Sequence, residues 1–561
     1  MDPSNSVTPA RVNRRSFLRL GAAGGAGLLA GQWPGLAAAA AKTDGWFEAS
    51  IAQLTGMMAS GQLTSRELTI AYLHQIQKLN PLLGAVVETN PNAVDIATHR
   101  DLERRAGRVR GPLHGIPILV KDNIATADNM QTTAGSLALL RSRVAEDSVV
   151  VGRLRAAGAV MLGKANLSEW ANFRGYAPFN GWSARGGFTR DPYVLDYDPC
   201  GSSSGSAVAP AANLCAGAVG TETDGSIVCP SGNNHVVGLK PTVGLISQDG
   251  IIPIAHSQDT AGPMARTVTD AAILLGVLQS PFGPVVGYPV PGDYAVFLQR
   301  GALHGARIGV DQRYFTPDYG GEPEIIAVVQ TALDAMVSLG ATLVPTDTGD
   351  PFAYFDAELT VLLYELKVHM GQYLATLSHT GMRTLADLIA FNIAHCEREM
   401  KYFGQEWFEQ SEATSGDLND PVYVAARQLC VQMARAEGID KALAADDLDA
   451  IVAPSYSYSS TPAAVAGYPN LALPVGLRAD GKPAGLQMYS GFLAEPKVLA
   501  LAYDLEQELG PRALPGYLSS VPPEPPDAGI CAALPKGRPA EPVRRHFGTG
   551  KPMRAGCRLC L

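Results

Sequence analysis

The 561-residue chain contains no internal repeat at the spacing of a solenoid or a propeller, which excludes those architectures. No group of cysteine and histidine has the spacing of a metal site, and we expect neither a metal nor a cofactor. Eight cysteines in this length are too few for a disulfide scaffold. The five in the body of the chain are interpreted as small buried hydrophobic side chains, namely Cys200, Cys215, Cys229, Cys396 and Cys430.

Charged residues make up 17% of the chain and hydrophobic residues 46%, a composition that is ordinary for a soluble globular protein. The net charge is −9, and residues 1–41 and 522–561 contribute +3 and +4, which leaves about −16 for the body between them. An acidic body of this kind argues against a nucleic-acid partner.

The first 41 residues have the features of a targeting segment. Arg14 and Arg15 open a twin-arginine motif, an apolar stretch follows over 20–30, and residues 37–41 offer A-x-A cleavage sites. The apolar stretch is too short for a good membrane span. We therefore expect a periplasmic or secreted protein without stable membrane insertion after cleavage. An uncleaved leader that anchors the enzyme is the alternative.

The other end, residues 523–561, is rich in proline and arginine, and we expect disorder there. Cys557 and Cys560 form a lone C-x-x-C without a partner pair, so a solvated tail is favoured over a zinc site.

Short apolar strands alternate with helical patterns between these ends. Predicted strands cover 113–120, 159–163, 236–239, 451–452 and 471–473. Predicted helices follow a cap at Thr64 and the candidate caps Asp147 and Ser148, and others cover 207–218 and 495–508. This alternation predicts one large α/β/α domain over 42–522, with a mixed, mostly parallel twisted sheet covered by helices on both faces.

Residues 317–447 are mostly helical in pattern and carry many aromatic side chains, including Tyr354, Tyr364 and Phe408. One interpretation is a core between packed helices. The other is a helical insertion that forms a hydrophobic funnel over a substrate site.

Catalytic chemistry is indicated by residues 200–241 together with Lys121. Ser202 and Ser226 stand 24 residues apart, each in a Gly/Ser-rich loop where a substrate can approach the backbone. Lys121 ends an apolar strand, where burial can make a lysine basic at neutral pH. A serine hydroxyl needs an adjacent base, so these residues predict a Ser–Ser–Lys hydrolase.

Several ordered motifs resemble the amidase signature family over roughly residues 45–510. They are PLHGIPILVKDNI, GKANLSEW, CGSSSGS, GTETDGS, VVGLKPT, QDTAGPMAR, AGYPNLALPVG and GLQM. Within the family the chain is most similar to bacterial peptide amidases that remove a C-terminal amide. The resemblance implies the amidase signature fold and an amide or peptide substrate, with no cofactor.

The same resemblance implies residue roles. Ser226 is the nucleophile, Lys121 the base, and Ser202 the bridging serine behind a cis peptide bond from Gly201. Ser203 braces the bridge. The oxyanion hole consists of the backbone amides of Thr223, Asp224, Gly225 and Ser226.

Two residues depart from the commoner family pattern: Asp224 replaces a glycine and Glu222 an aspartate. Asp224 is interpreted either as a contact for substrate polar groups or as a solvated acidic loop residue. The loop 455–463 is shorter than expected for the peptide-amidase subgroup and is a candidate wall of the substrate cleft.

A rival interpretation takes Ser203 as the nucleophile of a G-x-S-x-G elbow. That fold requires an acid and a histidine downstream, yet no histidine lies between His395 and His546. Histidines elsewhere are interpreted as structural, among them His114, His235 and His256.

The sequence thus predicts an exported serine amidohydrolase, a monomer or homodimer, that acts on the C-terminal amide of peptides. Aryl- or fatty-acyl amides are the alternative substrates. Remoter alternatives are a transamidosome subunit, which the acidic body and the leader argue against, and a non-catalytic binding protein, which would have lost a catalytic residue.

Overall fold

A computed structural model describes residues 45–455 and 458–534 of the chain. The predicted targeting segment and the C-x-x-C at Cys557 and Cys560 lie outside these residues. None of the helices in the described ranges is both long and apolar enough to cross a bilayer.

Thirteen strands occur in the described residues, and eleven of them join one large sheet. The strands are β1 (Val86–Thr89), β2 (Pro117–Lys121), β3 (Val160–Ala165), β4 (Trp182–Ser183), β5 (Gly187–Phe188), β6 (Gly217–Glu222), β7 (Val237–Lys240), β8 (Thr260–Ala265), β9 (Arg307–Val310), β10 (Thr342–Pro345), β11 (Ala450–Pro454), β12 (Asn470–Leu477) and β13 (Pro483–Tyr489). β4 and β5 form a separate hairpin.

The order in the large sheet is β1-β3-β2-β6-β8-β7-β12-β13-β11-β9-β10. The α/β class and the mixed character are as predicted. Parallel pairs are confined to two groups, β3-β2-β6 and β11-β9-β10, while the strands from β6 through β8, β7, β12 and β13 to β11 pair antiparallel. The expectation that parallel pairing predominates is corrected here, because local patterns do not specify strand direction.

Seventeen α-helices occur in the described residues. They are α1 (Ile51–Ala59), α2 (Ser65–Leu83), α3 (Ala93–Arg105), α4 (Val149–Ala156), α5 (Ser204–Ala211), α6 (Val228–Asn233), α7 (Val268–Leu278), α8 (Pro323–Ser338), α9 (Phe355–Ala375), α10 (Leu385–Ala394), α11 (Cys396–Glu399), α12 (Glu406–Ala413), α13 (Pro421–Val431), α14 (Asp440–Ala445), α15 (Ser460–Ala466), α16 (Glu495–Leu509) and α17 (Ile530–Ala533). A π-helical segment, Gln432–Ile439, connects α13 to α14.

Helix starts follow the cap signals in the sequence. Thr64 and Glu67 form the capping box of α2, and the Ser148 side chain caps α4. α5 contacts β2, β3 and β6, whereas α8 and α16 pack against β12 and β13. Every residue of β2, β3, β6 and β8 is buried, and since successive side chains point to opposite faces, both faces of these strands are covered.

Between 317 and 447 the chain is largely helical, from α8 to α14, as the pattern indicated. β10 interrupts this stretch and joins the edge of the large sheet. The segment therefore contributes a strand to the main sheet in addition to its helices.

Two disulfides correct the interpretation of the cysteines as isolated buried side chains. Cys200 pairs with Cys229, and Cys396 pairs with Cys531. Cys215 and Cys430 are buried and free. The disulfide partners are 29 and 135 residues apart, which a sparse cysteine count does not reveal.

The expected disordered tail begins with residues that contact the body. Glu524 accepts hydrogen bonds from Lys401 and Tyr402, and Cys531 in α17 holds the disulfide to Cys396. The stretch 523–534 thus differs from the expectation, because these side-chain contacts hold it. Residues 535–561 lie outside the described part of the chain.

Candidate active site

Lys121 is the last residue of β2, and its side chain is fully buried. Its Nζ donates hydrogen bonds to Ser202 Oγ at 2.7 Å, Thr221 Oγ1 at 2.9 Å and the Thr221 carbonyl at 3.1 Å. β2 pairs in parallel with β6, so the end of β2 lies beside Thr221 near the end of its neighbour. The sheet register thereby brings the lysine to the serine loop.

Burial lowers the pKa of Lys121 to about 7, although the carboxyl groups of Asp259 and Glu222 oppose the shift. The three hydrogen-bond partners of Lys121 Nζ are compatible with both the charged and the neutral form of the amine. A charged ammonium donates to all three oxygens. A neutral amine donates to the two Thr221 oxygens and directs its lone pair at the Ser202 hydroxyl, which can then donate to it.

The Gly201–Ser202 peptide bond is cis, as the resemblance implied. The next residue, Ser203, donates from Oγ to the Thr221 carbonyl at 2.9 Å and accepts from the Thr221 amide at 3.2 Å. Its own amide donates to the Ser226 carbonyl at 3.2 Å. Ser203 therefore links the loop of one serine to β6 and to the loop of the other.

Ser226 lies in the loop between β6 and α6, and its side chain is 3% exposed. Gly225 before it has a positive φ of 78°, a conformation that glycine adopts without steric cost. Glu222 Oε2 accepts from the amides of Ile227 and Val228, at 2.6 and 3.0 Å, just after the serine. Glu222 thus supports the turn that presents Ser226.

Asp224 is 6% exposed, and Thr461 Oγ1 donates to its Oδ2 at 2.7 Å. Burial raises the pKa of Asp224 to about 6. The interpretation as a solvated acidic residue is wrong, because α15 covers the side chain. Part of the predicted loop 455–463 is helical, and Ser460 of α15 faces Gly225, so this segment borders the serine loop.

Three residues of the site were missed by sequence reasoning, although each lies in a quoted motif. Thr221 holds Lys121, Asn123 donates to Thr221 Oγ1 at 3.0 Å, and Asp259 accepts from Thr223 Oγ1 at 2.6 Å. Each residue belongs to one of the motifs VKDNI, GTETDGS and QDTAGPMAR, and this membership was the one indication in the sequence that it could belong to the site. Their contacts join residues up to 100 positions apart, which spacing alone does not indicate.

An open cleft adjoins these residues, with about 340 Å³ of empty space that includes adjoining solvent. Its apolar lining includes Ile252 and Ile254, and its polar lining comprises Asn123, Thr221, Thr223, Gln248, His256, Asp259 and Thr260. A second space of about 230 Å³ shares Asn123 and Ile252 and is otherwise mainly apolar, with Trp170, Leu366, Met370 and Phe408. α9 and α12 therefore supply both core side chains and part of a cleft wall.

The predicted structural histidines differ in their surroundings. His114 and His235 are both buried. His114 contacts the Arg100 carbonyl, and His235 contacts the Tyr193 hydroxyl. His256 lines the cleft and stacks on His369, with ring centroids 3.7 Å apart.

The nucleophile-elbow interpretation lacks support, because the Ser203 side chain bonds to the backbone of Thr221 rather than to a histidine. Within the described ranges, no group of three or more His, Cys, Asp or Glu residues is placed to hold a metal.

A family model described as Amidase matches residues 67–499 of the chain. The chain belongs to the amidase family. This amidase is a hydrolase of amide bonds. It is 40% identical to a probable amidase of Arabidopsis thaliana, over 84% of the chain and 92% of that relative. It is also 32% identical to one of the subunits of the glutamyl-tRNA(Gln) amidotransferase of Halorhodospira halophila, over 82% of the chain and 96% of that relative.

Solved structures show the same fold. The native peptide amidase from Stenotrophomonas maltophilia superposes on the amidase with a TM-score of 0.79 at 49% identity, covering 84% of this chain and 99% of that one. An amidase family protein from Bacillus anthracis gives 0.76 at 35% identity, covering 83% and 92%. The amidase is therefore peptide-amidase-like in structure.

Proposed function

We propose that this amidase hydrolyses the C-terminal amide of peptides, with release of ammonia, through Lys121, Ser202 and Ser226. The observation that carries the proposal is the buried contact of 2.7 Å between Lys121 Nζ and Ser202 Oγ. The hydrogen bond from the Ser203 amide to the Ser226 carbonyl connects this pair to the second serine. The likeness to a solved peptide amidase supports the substrate class.

The proposed reaction starts from neutral Lys121. Ser226 Oγ attacks the amide carbon while its proton passes to Ser202, whose own proton passes to Lys121. Backbone amides of residues 223–226 stabilise the oxyanion, and one such donor is typically worth about 10²–10³ in rate. The proton returns through Ser202 to the leaving nitrogen, ammonia departs, and water hydrolyses the acyl ester on Ser226.

We also propose that the amidase acts after export to an oxidising compartment. Disulfides persist mainly in such compartments, and the Cys200–Cys229 and Cys396–Cys531 bonds support this location. Cell fractionation tests it. Recovery of the mature chain in the periplasmic or culture fraction is expected, and exclusive recovery in the cytoplasm contradicts it.

The deciding experiment measures ammonia release from an N-acylated dipeptide amide by the purified full chain and by its Ser226→Ala variant. Release by the first and none by the second is expected. Equal release by both would refute the role of Ser226. A Ser226-dependent activity on other amides, with none on the dipeptide amide, would refute the substrate class alone.

A second candidate substrate class is aryl- or fatty-acyl amides. The apolar space with Trp170, Leu366, Met370 and Phe408 beside the cleft favours it. The same assay with a benzamide and a medium-chain fatty amide separates the two classes. A higher kcat/KM for the dipeptide amide than for either is the result that we expect.

A further inference from the structure

The Cys200–Cys229 disulfide joins the two loops that carry the serines of the site. Cys200 stands two residues before Ser202, and Cys229 stands three residues after Ser226, with their Cα atoms 5.9 Å apart. Cys229 is the second residue of α6, and its amide donates to the Gly225 carbonyl at 2.8 Å. The bond thus spans the two segments whose relative position determines whether one serine can reach the other.

The backbone of Cys200 is left-handed, with a φ of 54°. This conformation is sterically unfavourable for a residue with a side chain, and glycine adopts it freely. The Cys200 side chain is fully buried and closes the disulfide. The sequence therefore keeps a cysteine at a position where the backbone alone favours glycine.

Noncovalent bonds cross the same junction. The side-chain amides of Asn233 and Asn234 donate to the carbonyls of Asp198 and Pro199, at 2.9 and 2.8 Å. They hold the far end of α6 to the residues before Cys200. The disulfide acts at the near end of α6, closer to Ser226, where a displacement would move the serine directly.

We propose that the Cys200–Cys229 disulfide is a positioning element of the serine centre, which keeps Ser202 and Ser226 in register for proton transfer. The inference rests on the proposed roles of these two serines. A misplacement of about 1 Å in a catalytic group can lower the rate by about 10². Neither cysteine is among the residues that line the cleft, so we expect loss of the disulfide to reduce turnover and to leave substrate binding intact.

The test is a Cys200→Gly/Cys229→Ala double variant, because glycine suits the left-handed backbone and neither new residue leaves a thiol. The matched control is Cys396→Ala/Cys531→Ala, which removes the other disulfide. For the first variant we expect kcat to fall about 10- to 100-fold with KM within about twofold of wild type. For the control we expect kcat and KM to stay within about twofold.

Rates are normalised to the folded fraction, measured by circular dichroism, so that lost stability is not counted as lost turnover. Replacement of either cysteine alone also removes the disulfide. The kcat of Cys200→Gly or of Cys229→Ala should therefore match that of the double variant. If the Gly/Ala variant does not fold, two other samples are measured instead: the Cys200→Ser/Cys229→Ser variant, and the Cys396→Ala/Cys531→Ala control after reduction with dithiothreitol. In that control the Cys200–Cys229 bond is the one disulfide left among the described residues, and thiol titration verifies its reduction.

Wild-type kcat in a folded variant without the Cys200–Cys229 bond would overturn the inference. An equal loss in both disulfide variants would also overturn it, since the effect would then be general. Wild-type activity in Ser226→Ala is a different failure, because it removes the proposed function on which the inference rests.

Discussion

Lys121 Nζ and Ser202 Oγ lie 2.7 Å apart although 81 positions separate the two residues, and neither side chain is exposed. The contact forms where the end of β2 meets the loop before α5. Burial there brings the pKa of the amine to about 7. An amine with this pKa is partly neutral at neutral pH, as the proposed role of Lys121 as a base requires.

The activity should depend on the protonation state of Lys121. Only the neutral amine accepts a proton, so kcat/KM should be constant above the pKa of about 7 and fall tenfold per pH unit below it. A pH–rate profile between pH 5 and 9 measures this. A profile flat down to pH 5 would contradict the role of Lys121 as the base.

Lys121→Met should abolish turnover and stabilise the fold. The folded-state pKa of about 7 lies below the ordinary lysine value of 10.5, so the unfolded state binds more protons between these limits. The cost of burying the amine is therefore complete below pH 7 and disappears as pH rises towards 10.5. We expect the free energy of unfolding to rise by about 1–4 kcal/mol at pH 6 and by less at pH 9. Urea unfolding at both pH values tests the sign.

Thr221→Val should lower kcat about tenfold, because it removes an acceptor that orients the Lys121 amine. Loss of that acceptor also destabilises the charged amine, so the acidic limb of the pH profile should move to lower pH. Thr221→Ser retains the hydroxyl and serves as the control. Equal kcat and equal pH profiles for the two variants would show that the hydroxyl plays no part.

Glu222→Ala should reduce both stability and turnover. It leaves the buried amides of Ile227 and Val228 without their acceptor, which costs about 1–3 kcal/mol. Glu222→Gln retains a carbonyl oxygen and should recover most of both properties. Thermal unfolding and kcat of the two variants are compared. A fully active Glu222→Ala enzyme would mean that the turn around Ser226 is held by other contacts.

Elements with a strong local pattern were predictable from the sequence. Thr64 and Glu67 form the capping box that their spacing indicated, and α16 spans Glu495–Leu509 against a predicted 495–508. β2 was predicted from 113 and begins at Pro117, because residues before it form turns. Boundaries shift in this way since neighbouring strands determine where pairing starts.

The contacts around Lys121 were only partly predictable. The motifs identified the lysine and the serine loops, but neither Thr221 as an acceptor for the amine nor Thr461 as the partner of Asp224. Thr461 lies 237 positions from Asp224. Such a pair depends on the packing of α15 against the loop, which no local pattern contains.

Local periodicity and motifs were sufficient to predict the α/β class, the family and the position along the chain of each candidate catalytic residue. The three-dimensional fold was needed to establish the antiparallel middle of the sheet, the partners of Cys200 and Cys396, and the burial that lowers the pKa of Lys121. Each depends on which distant segments pack together. That choice is made by the free energy of the whole fold rather than by any one segment.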